Sequence, residues 1–126
     1  MLHHLSTPER RSRAIAETTR VLKVGGVALF YAWARDQRRG RSGHAFDAPD
    51  VLVPFHLREH GPHWDPSACD AAPAHAVRDA AKRATVVQRY CHVYDEGELA
   101  ALVSAHARVD EVYYDEGNWA VRCTKV

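Results

Sequence analysis

Residues 6–33 constrain the fold of this chain more than any other segment does. Ser6 or Thr7 is placed to cap a helix, Pro8 suits the first helical turn, and apolar side chains follow at the spacing of one helical face. Two consecutive glycines then allow the backbone to reverse, so the helix is predicted to end at Gly25 and Gly26.

The segment after the glycines predicts a buried strand. Every residue from Val27 to Trp33 is apolar, which is typical of a strand covered on both faces. Such strands belong to parallel sheets flanked by helices. We therefore expect a strand of this kind directly after the first helix.

The length and charge of the chain set broad limits. The 126 residues with 46% hydrophobic content fit one globular domain. A net charge of +1 does not decide for or against a nucleic-acid partner, because basic residues cluster locally at 10–13 and 35–41. Such runs usually form a solvated surface, and that alternative stays open for both clusters.

The cysteines and histidines do not predict a metal site. The three cysteines are widely separated and odd in number, so neither a disulfide framework nor a paired zinc motif is indicated. The histidines of the central region lack a paired ligand spacing. With no apolar run near the roughly 20 residues that span a bilayer, and no signal peptide, we expect a cytoplasmic protein without a membrane partner.

The central region, 35–85, is predicted to be an irregular insertion. It holds a short apolar segment at 50–56, whose Pro54 argues against a central strand. Residues 61–73 have no useful periodicity, and the alanine-rich stretch from Ala74 to Ala84 predicts a short helix.

Regular structure is predicted again in 86–126. An extended segment at 86–94 precedes a helix that Asp95 caps, with Glu98 in capping-box position. Strands at 109–114 and 118–125 flank a tight turn and form an antiparallel pair. The predicted fold is α/β, and its element order resembles the C-terminal half of a Rossmann-like class I S-adenosylmethionine-dependent methyltransferase sheet, which ends in an antiparallel hairpin.

Several local strings narrow the resemblance further. The chain resembles the Trm9/ALKBH8 family of tRNA methyltransferases, which esterify the carboxymethyl group of the wobble uridine. It departs from the family at Phe55, Cys91 and Glu116, where Trp, Tyr and Gln are usual. The strings that carry the resemblance are 3–11, 20–26, 31–34, 53–56, 89–94, 96–99 and 113–119.

This resemblance implies S-adenosyl-L-methionine as methyl donor, tRNA as substrate and a Trm112-like zinc-binding activator protein as partner. In the family, the glycine-rich cofactor loop and the acidic residue that binds the cofactor ribose precede the position of Met1. We therefore expect 1–126 to be a partial methyltransferase domain, composed of 1–34, the insertion 35–85, and 86–126. Its cofactor cleft is expected to be incomplete, with little catalysis by this chain alone.

The chemistry predicts which residues form the site. A carboxylate nucleophile is already anionic, so positioning and electrostatics dominate over proton transfer. Arginine suits a carboxylate or phosphate, and aromatic rings suit an unstacked base. Packing, capping or surface roles remain the alternatives for each residue. The predicted catalytic residues are His3 and Arg11, the cofactor-binding residue is His4, and the substrate-binding residues are Arg10, Trp33, Arg89, Tyr90, His92, Asn118 and Trp119.

Two other functions stay open at this point. One is a non-catalytic fragment or pseudoenzyme that binds tRNA or a protein partner through the arginine-rich insertion. The other is a small-molecule methyltransferase of the same fold, because a fold by itself does not assign a substrate.

Overall fold

The computed structural model describes residues 1–39, 45–59 and 76–126. They divide into two compact units, one formed by Met1–Val51 with Cys91–Val126 and the other by Leu52–Tyr90. The elements are a 3₁₀ helix Leu2–His4, α1 Pro8–Val21, β1 Val27–Trp33, β2 Asp50–Arg58, β3 Val77–Asp79, β4 Ala84–His92, α2 Glu98–Ser104, β5 Arg108–Asp115 and β6 Asn118–Thr124.

Helix α1 begins where its capping signals predict. The Thr7 side chain accepts a hydrogen bond from the Arg10 backbone N–H at 3.3 Å, and Pro8 occupies the first turn. The helix ends at Val21, earlier than the predicted stop at the glycines. The chain reverses at Gly25, where φ is +77°, a value that favours glycine.

Strand β1 corrects the prediction of a parallel strand covered on both faces. Its neighbour is β6, the pairing is antiparallel, and the sheet order is β1-β6-β5. Phe30 and Ala32 are buried, whereas Val27, Leu29 and Tyr31 are 54%, 51% and 37% exposed. An apolar sequence therefore forms an edge strand with only one covered face, because the helices pack on one side of the sheet.

The core of this unit lies between the sheet and the two helices. Ile15 of α1 and Leu99 and Val103 of α2 are fully buried against the inner face of the sheet. The sheet contributes Phe30, Ala32, Trp119, Val121 and Cys123 to the same cluster. Burial alternates from Val121 to Cys123 along β6, as the period-2 pattern of its sequence predicts, but Ala120 on the other face is also fully buried.

The β5–β6 hairpin is confirmed. Glu116 and Gly117 both have positive φ, +44° and +91°, as expected for a two-residue hairpin turn. The strands keep an antiparallel register, which shifts by one residue between Val109 and Glu111. This shift is a β-bulge that leaves Asp110 unpaired in the ladder.

The second unit corrects part of the prediction for 35–85. Its strands form a sheet in the order β2-β4-β3, with β3 and β4 antiparallel. The predicted helix at 74–84 is wrong over its described part, where 77–79 form a strand and a turn follows. Pro54 lies on β2, which is an edge strand as proline requires. Residues 61–73, with 74 and 75, lie outside the described residues.

Candidate functional site

Three aromatic side chains meet at the C-terminal end of β1. The rings of His3 and Trp33 are stacked, with centroids 4.8 Å apart and planes inclined by 10°. The His4 ring meets His3 edge-on at 4.3 Å and lies 6.5 Å from the Trp33 centroid. We call His3, His4 and Trp33 the His–Trp cluster, and it brings together two predicted histidines and the predicted base-stacking tryptophan.

Arg11 supports this cluster from helix α1. Arg11 is only 6% exposed, and its guanidinium donates a hydrogen bond to the Leu5 carbonyl at 2.9 Å. The Leu5 N–H in turn donates to the Leu2 carbonyl at 3.1 Å, which closes the 3₁₀ turn that carries both histidines. In this structure Arg11 therefore fixes the backbone beneath the cluster.

Cys91 is a further neighbour of the cluster that sequence reasoning missed. Its Sγ lies 3.6 Å from His4 Nδ1, and the cysteine is fully buried. The sequence identifies Cys91 only as a departure from the family string, and it is not among the predicted site residues. Its distance of 87 residues from His4 in the chain explains why no local signal points to the pair.

Backbone hydrogen bonds connect three segments at the C-terminal end of β1. The Tyr94 N–H donates to the Trp33 carbonyl at 2.8 Å, and the Arg35 N–H donates to the Tyr94 carbonyl at 2.9 Å. The Ala34 N–H donates to the Gly117 carbonyl at 2.8 Å. The residues after β1, the residues after β4 and the hairpin turn are therefore joined at this point.

His92 is held between two carboxylates. Its Nδ1 lies 3.0 Å from Asp50 Oδ1 and its Nε2 lies 2.6 Å from Glu98 Oε1, while the ring is 5% exposed. Both ring nitrogens are therefore engaged within the protein, and we call this arrangement the His92 clamp. Glu98 also accepts a hydrogen bond from the Asp95 N–H through its other oxygen. The prediction that Asp95 caps α2 is wrong, because the N-cap is Gly97 and no side chain caps this helix.

The hairpin residues take structural positions. Asn118 donates from Nδ2 to the Asp115 carbonyl at 3.1 Å, which supports the turn. Trp119 is 8% exposed and packs edge-on against Tyr114 with centroids 5.4 Å apart. The guanidinium of Arg39 covers the Tyr114 ring at 4.4 Å. The substrate-binding role of Asn118 and Trp119 remains a prediction.

Most described arginines near the site have partners within the chain. Arg10 donates to Ser6 Oγ at 3.3 Å on the surface of α1. Arg35 donates to the Phe46 carbonyl at 3.0 Å and bonds the Asp95 carboxylate at 3.3 Å. Arg35 therefore ties the segment after β1 to the start of α2.

Arg38 forms an ion pair with Asp36 at 2.7 Å. The hydrogen bonds from its side chain, followed by those from its backbone, hold the pKa of the Asp36 carboxyl well below its usual range. The described part of the basic run 35–41 is thus used largely for internal contacts, and Arg41 lies outside the described residues.

Arg89 and Tyr90 belong to the unit Leu52–Tyr90, and not to the unit that holds the His–Trp cluster. The Arg89 guanidinium lies 4.8 Å from the Phe55 ring centroid, a cation–π distance. Their predicted contact with tRNA stays a prediction.

No group of three histidine, cysteine, aspartate or glutamate side chains in the described ranges is arranged to hold a metal ion. Among the helices that the structure describes, none has the length and apolar character needed to cross a membrane.

The fold and the site define an α/β protein with an aromatic cluster at the end of an edge strand. Curated relatives match the whole chain, and the resemblance predicted from its motifs is confirmed. The chain is 35% identical over 127 residues to the tRNA (carboxymethyluridine(34)-5-O)-methyltransferase of Schizosaccharomyces pombe, a match covering 99% of the chain and 54% of that protein. It is 28% identical over 164 residues to the Xenopus tropicalis tRNA (carboxymethyluridine(34)-5-O)-methyltransferase alkbh8, covering 100% of the chain and 25% of that protein.

A shorter match has higher identity. The chain is 49% identical over 55 residues, 44% of its length, to a mouse protein named probable tRNA methyltransferase 9B, of which the match covers 11%. No family model matches the chain. The chain spans about half the length of the Schizosaccharomyces pombe relative and about a quarter of the Xenopus tropicalis relative.

Proposed function

We propose that this chain supplies the substrate-facing part of an S-adenosylmethionine-dependent methyltransferase that acts on the carboxymethyl group of the tRNA wobble uridine. The observation that carries this proposal is the similarity to the Schizosaccharomyces pombe enzyme, which extends along 99% of the chain. The relatives are named for this reaction, and the strings that resemble them include the residues of the His–Trp cluster.

The His–Trp cluster supports the proposal through its shape. His3 already covers one face of the Trp33 indole, so a uracil ring would stack on the other face of the indole or on the outer face of His3. Such stacking holds a base without neutralising an attacking carboxylate. Arg11 acts as a positioning residue in this proposal, because its hydrogen bond reaches the Leu5 carbonyl.

S-adenosyl-L-methionine is the methyl donor in this proposal. The His4 and Trp33 rings are inclined by 62° with centroids 6.5 Å apart, so they leave no parallel slot for the adenine, and His4 would contact the cofactor from one side only. When bound, S-adenosyl-L-methionine supplies a methyl group activated by the sulfonium. The residues of this chain then orient the carboxylate and exclude water, which are the contributions that this reaction needs most.

We also propose that the sheet β1-β6-β5 is part of a Rossmann-like class I arrangement. Strand β1 is an edge strand with an apolar sequence and half-exposed side chains, so its outer edge suits pairing with a further strand. The parallel bridge between Ala34 and Tyr94 shows that the backbone just beyond β1 already accepts a parallel neighbour.

A Trm112-like zinc-binding activator protein and a cytoplasmic location complete the proposal, and both rest on the resemblance and the sequence. Co-expression of the chain with such an activator and recovery of a stoichiometric complex would support the partner. Recovery of the chain alone, at unchanged yield, would argue against it.

The test of the reaction uses tRNA that carries unmethylated carboxymethyluridine at the wobble position. The full chain, with and without the activator, is incubated with labelled S-adenosyl-L-methionine, and the nucleosides are analysed by mass spectrometry. We expect the methyl ester of carboxymethyluridine to form at a low rate, because the cofactor cleft of this chain is expected to be incomplete, and the His3→Ala variant to form it more slowly than an Arg20→Gln control. Tight tRNA binding without any ester would favour the non-catalytic alternative, and methylation of free small acids would favour a small-molecule enzyme.

A further inference from the structure

The described residues of the unit Leu52–Tyr90 carry an excess of positive charge, whereas its full sequence, which also holds Asp65 and Asp70, has a net charge of +1. Its described residues include five arginines and lysines but only two carboxylates, Glu59 and Asp79. Both carboxylates already have cationic or backbone partners. Glu59 accepts two hydrogen bonds from Arg78, at 2.7 and 3.0 Å, and Asp79 accepts the N–H groups of Ala81 and Lys82 at 3.1 Å.

A cavity of about 500 Å³ lies in this unit, lined by His56, Arg58, Lys82 and Ala84. His56 and Arg58 are two residues apart on β2, so their side chains leave the same face of the strand. Ala84 is buried and places only a methyl group at the cavity. The described lining therefore consists of three basic side chains and one methyl group.

The turn that presents Lys82 is fixed by the local backbone. Arg83 has a φ of +46°, and the Glu59 N–H donates to the Arg83 carbonyl at 2.8 Å, which fastens the end of β2 to the turn. Lys82 itself is 3.9 Å from Asp79, a loose ion pair at the surface. Among the described residues, no carboxylate forms an ion pair with Arg58 or His56.

We propose that His56, Arg58 and Lys82 form a binding site for a backbone phosphate of RNA, separate from the His–Trp cluster. The arginine guanidinium, the lysine ammonium and the imidazole can all donate hydrogen bonds to phosphate oxygens. The cavity is larger than one phosphate group requires, which leaves room for the adjoining sugar. This inference rests on the proposed function, because it names where the tRNA backbone contacts the chain.

The experiment measures binding of a fluorescent tRNA anticodon stem-loop to the full chain across a range of salt concentrations. The test variant is Arg58→Gln with Lys82→Gln, and the matched control is Arg20→Gln with Lys23→Gln, which removes the same charge from the other unit. Circular dichroism checks that each variant is folded. We expect the test variant to bind roughly 10-fold more weakly at moderate salt, and its salt slope to fall by about 1 to 2, as loss of one or two phosphate contacts predicts.

Equal affinities and equal salt slopes for the test and control variants would overturn the site. Inorganic phosphate and a phosphorylated peptide are titrated as competitors at constant ionic strength. Release of RNA by free phosphate at low millimolar concentration would identify a small-anion site in place of an RNA site, and preference for the peptide would identify a protein ligand. The two proposals can fail separately. If the chain transfers no methyl group but the test variant still lowers the salt slope, the proposed reaction is refuted and the phosphate site is retained.

Discussion

Arg11 combines a buried charge with a hydrogen bond to the backbone that carries the two histidines. Arg11→Ala removes that bond and leaves the Leu5 carbonyl without its donor, so we expect a loss of about 1–3 kcal/mol in the free energy of unfolding. Urea denaturation measures it. Arg10→Ala is the control, because Arg10 is exposed on the same helix, and its stability should be nearly unchanged. Equal effects of the two substitutions would show that Arg11 has no positioning role.

The His92 clamp predicts a second residue-scale result. His92→Phe keeps an aromatic ring but removes the two ring nitrogens that contact the Asp50 and Glu98 carboxylates, so we expect a loss of roughly 1–3 kcal/mol of stability. His92→Gln retains one polar partner and should lose less. Thermal unfolding ranks the two variants, and a phenylalanine variant as stable as the wild type would mean that the clamp does not contribute to folding.

At the scale of elements, alanine substitutions at two glycines distinguish the cost of a positive φ from the cost of a steric contact. Gly25 and Gly117 both have positive φ, but a Cβ on Gly25 would meet no atom within 4 Å, whereas one on Gly117 would lie 3.3 Å from Gln37 Cδ. Gly25→Ala should cost about 1 kcal/mol through its φ alone. Gly117→Ala should cost more, because Gln37 is buried and has to shift. Chemical denaturation of both variants tests this order, and an equal cost would contradict it.

Local signals explain which elements the sequence predicts well. The cap at Thr7 and the turn at Glu116 and Gly117 depend on neighbouring residues, and both were predicted. Strand β1 was predicted as a strand, but its apolar sequence does not report whether a second layer covers it. Strand β2 was missed because it pairs with β4, which lies far along the chain. Strand β3 pairs with β4 in a local hairpin, but its three residues are too few to show a pattern.

Contacts in the candidate site likewise differ in how well the sequence predicts them. The meeting of His3, His4 and Trp33 could be anticipated, because loops and strand ends converge at one edge of an α/β sheet. The partners of His92 could not, because Asp50 is 42 residues away and Glu98 was assigned only to a helix cap. A long-range contact such as that between His92 and Asp50 has no sequence spacing to reveal it.

At the scale of the whole molecule, the half-exposed residues of β1 predict that copies of this chain associate with one another. Val27, Leu29 and Tyr31 form an apolar row on an edge strand, a surface that favours pairing between chains. Leu29→Lys should increase the monomer fraction while leaving the unfolding transition almost unchanged, since the side chain is 51% exposed. Size-exclusion chromatography with light scattering measures it. Val112→Lys is the control, and a similar gain of monomer in that variant would show that β1 is not the responsible edge.

The bulge at Asp110 makes the two edges of the sheet different from each other. Strand β5 forms the edge opposite β1, and its ladder is interrupted between Val109 and Glu111. Asp110 is also occupied there, since it accepts hydrogen bonds from Thr124 at 2.6 Å and from Arg108 at 3.0 Å. A new strand would find an irregular row of donors and acceptors beside β5 but a regular row beside β1. Another polypeptide can therefore extend this sheet by pairing with β1, but not by pairing with β5.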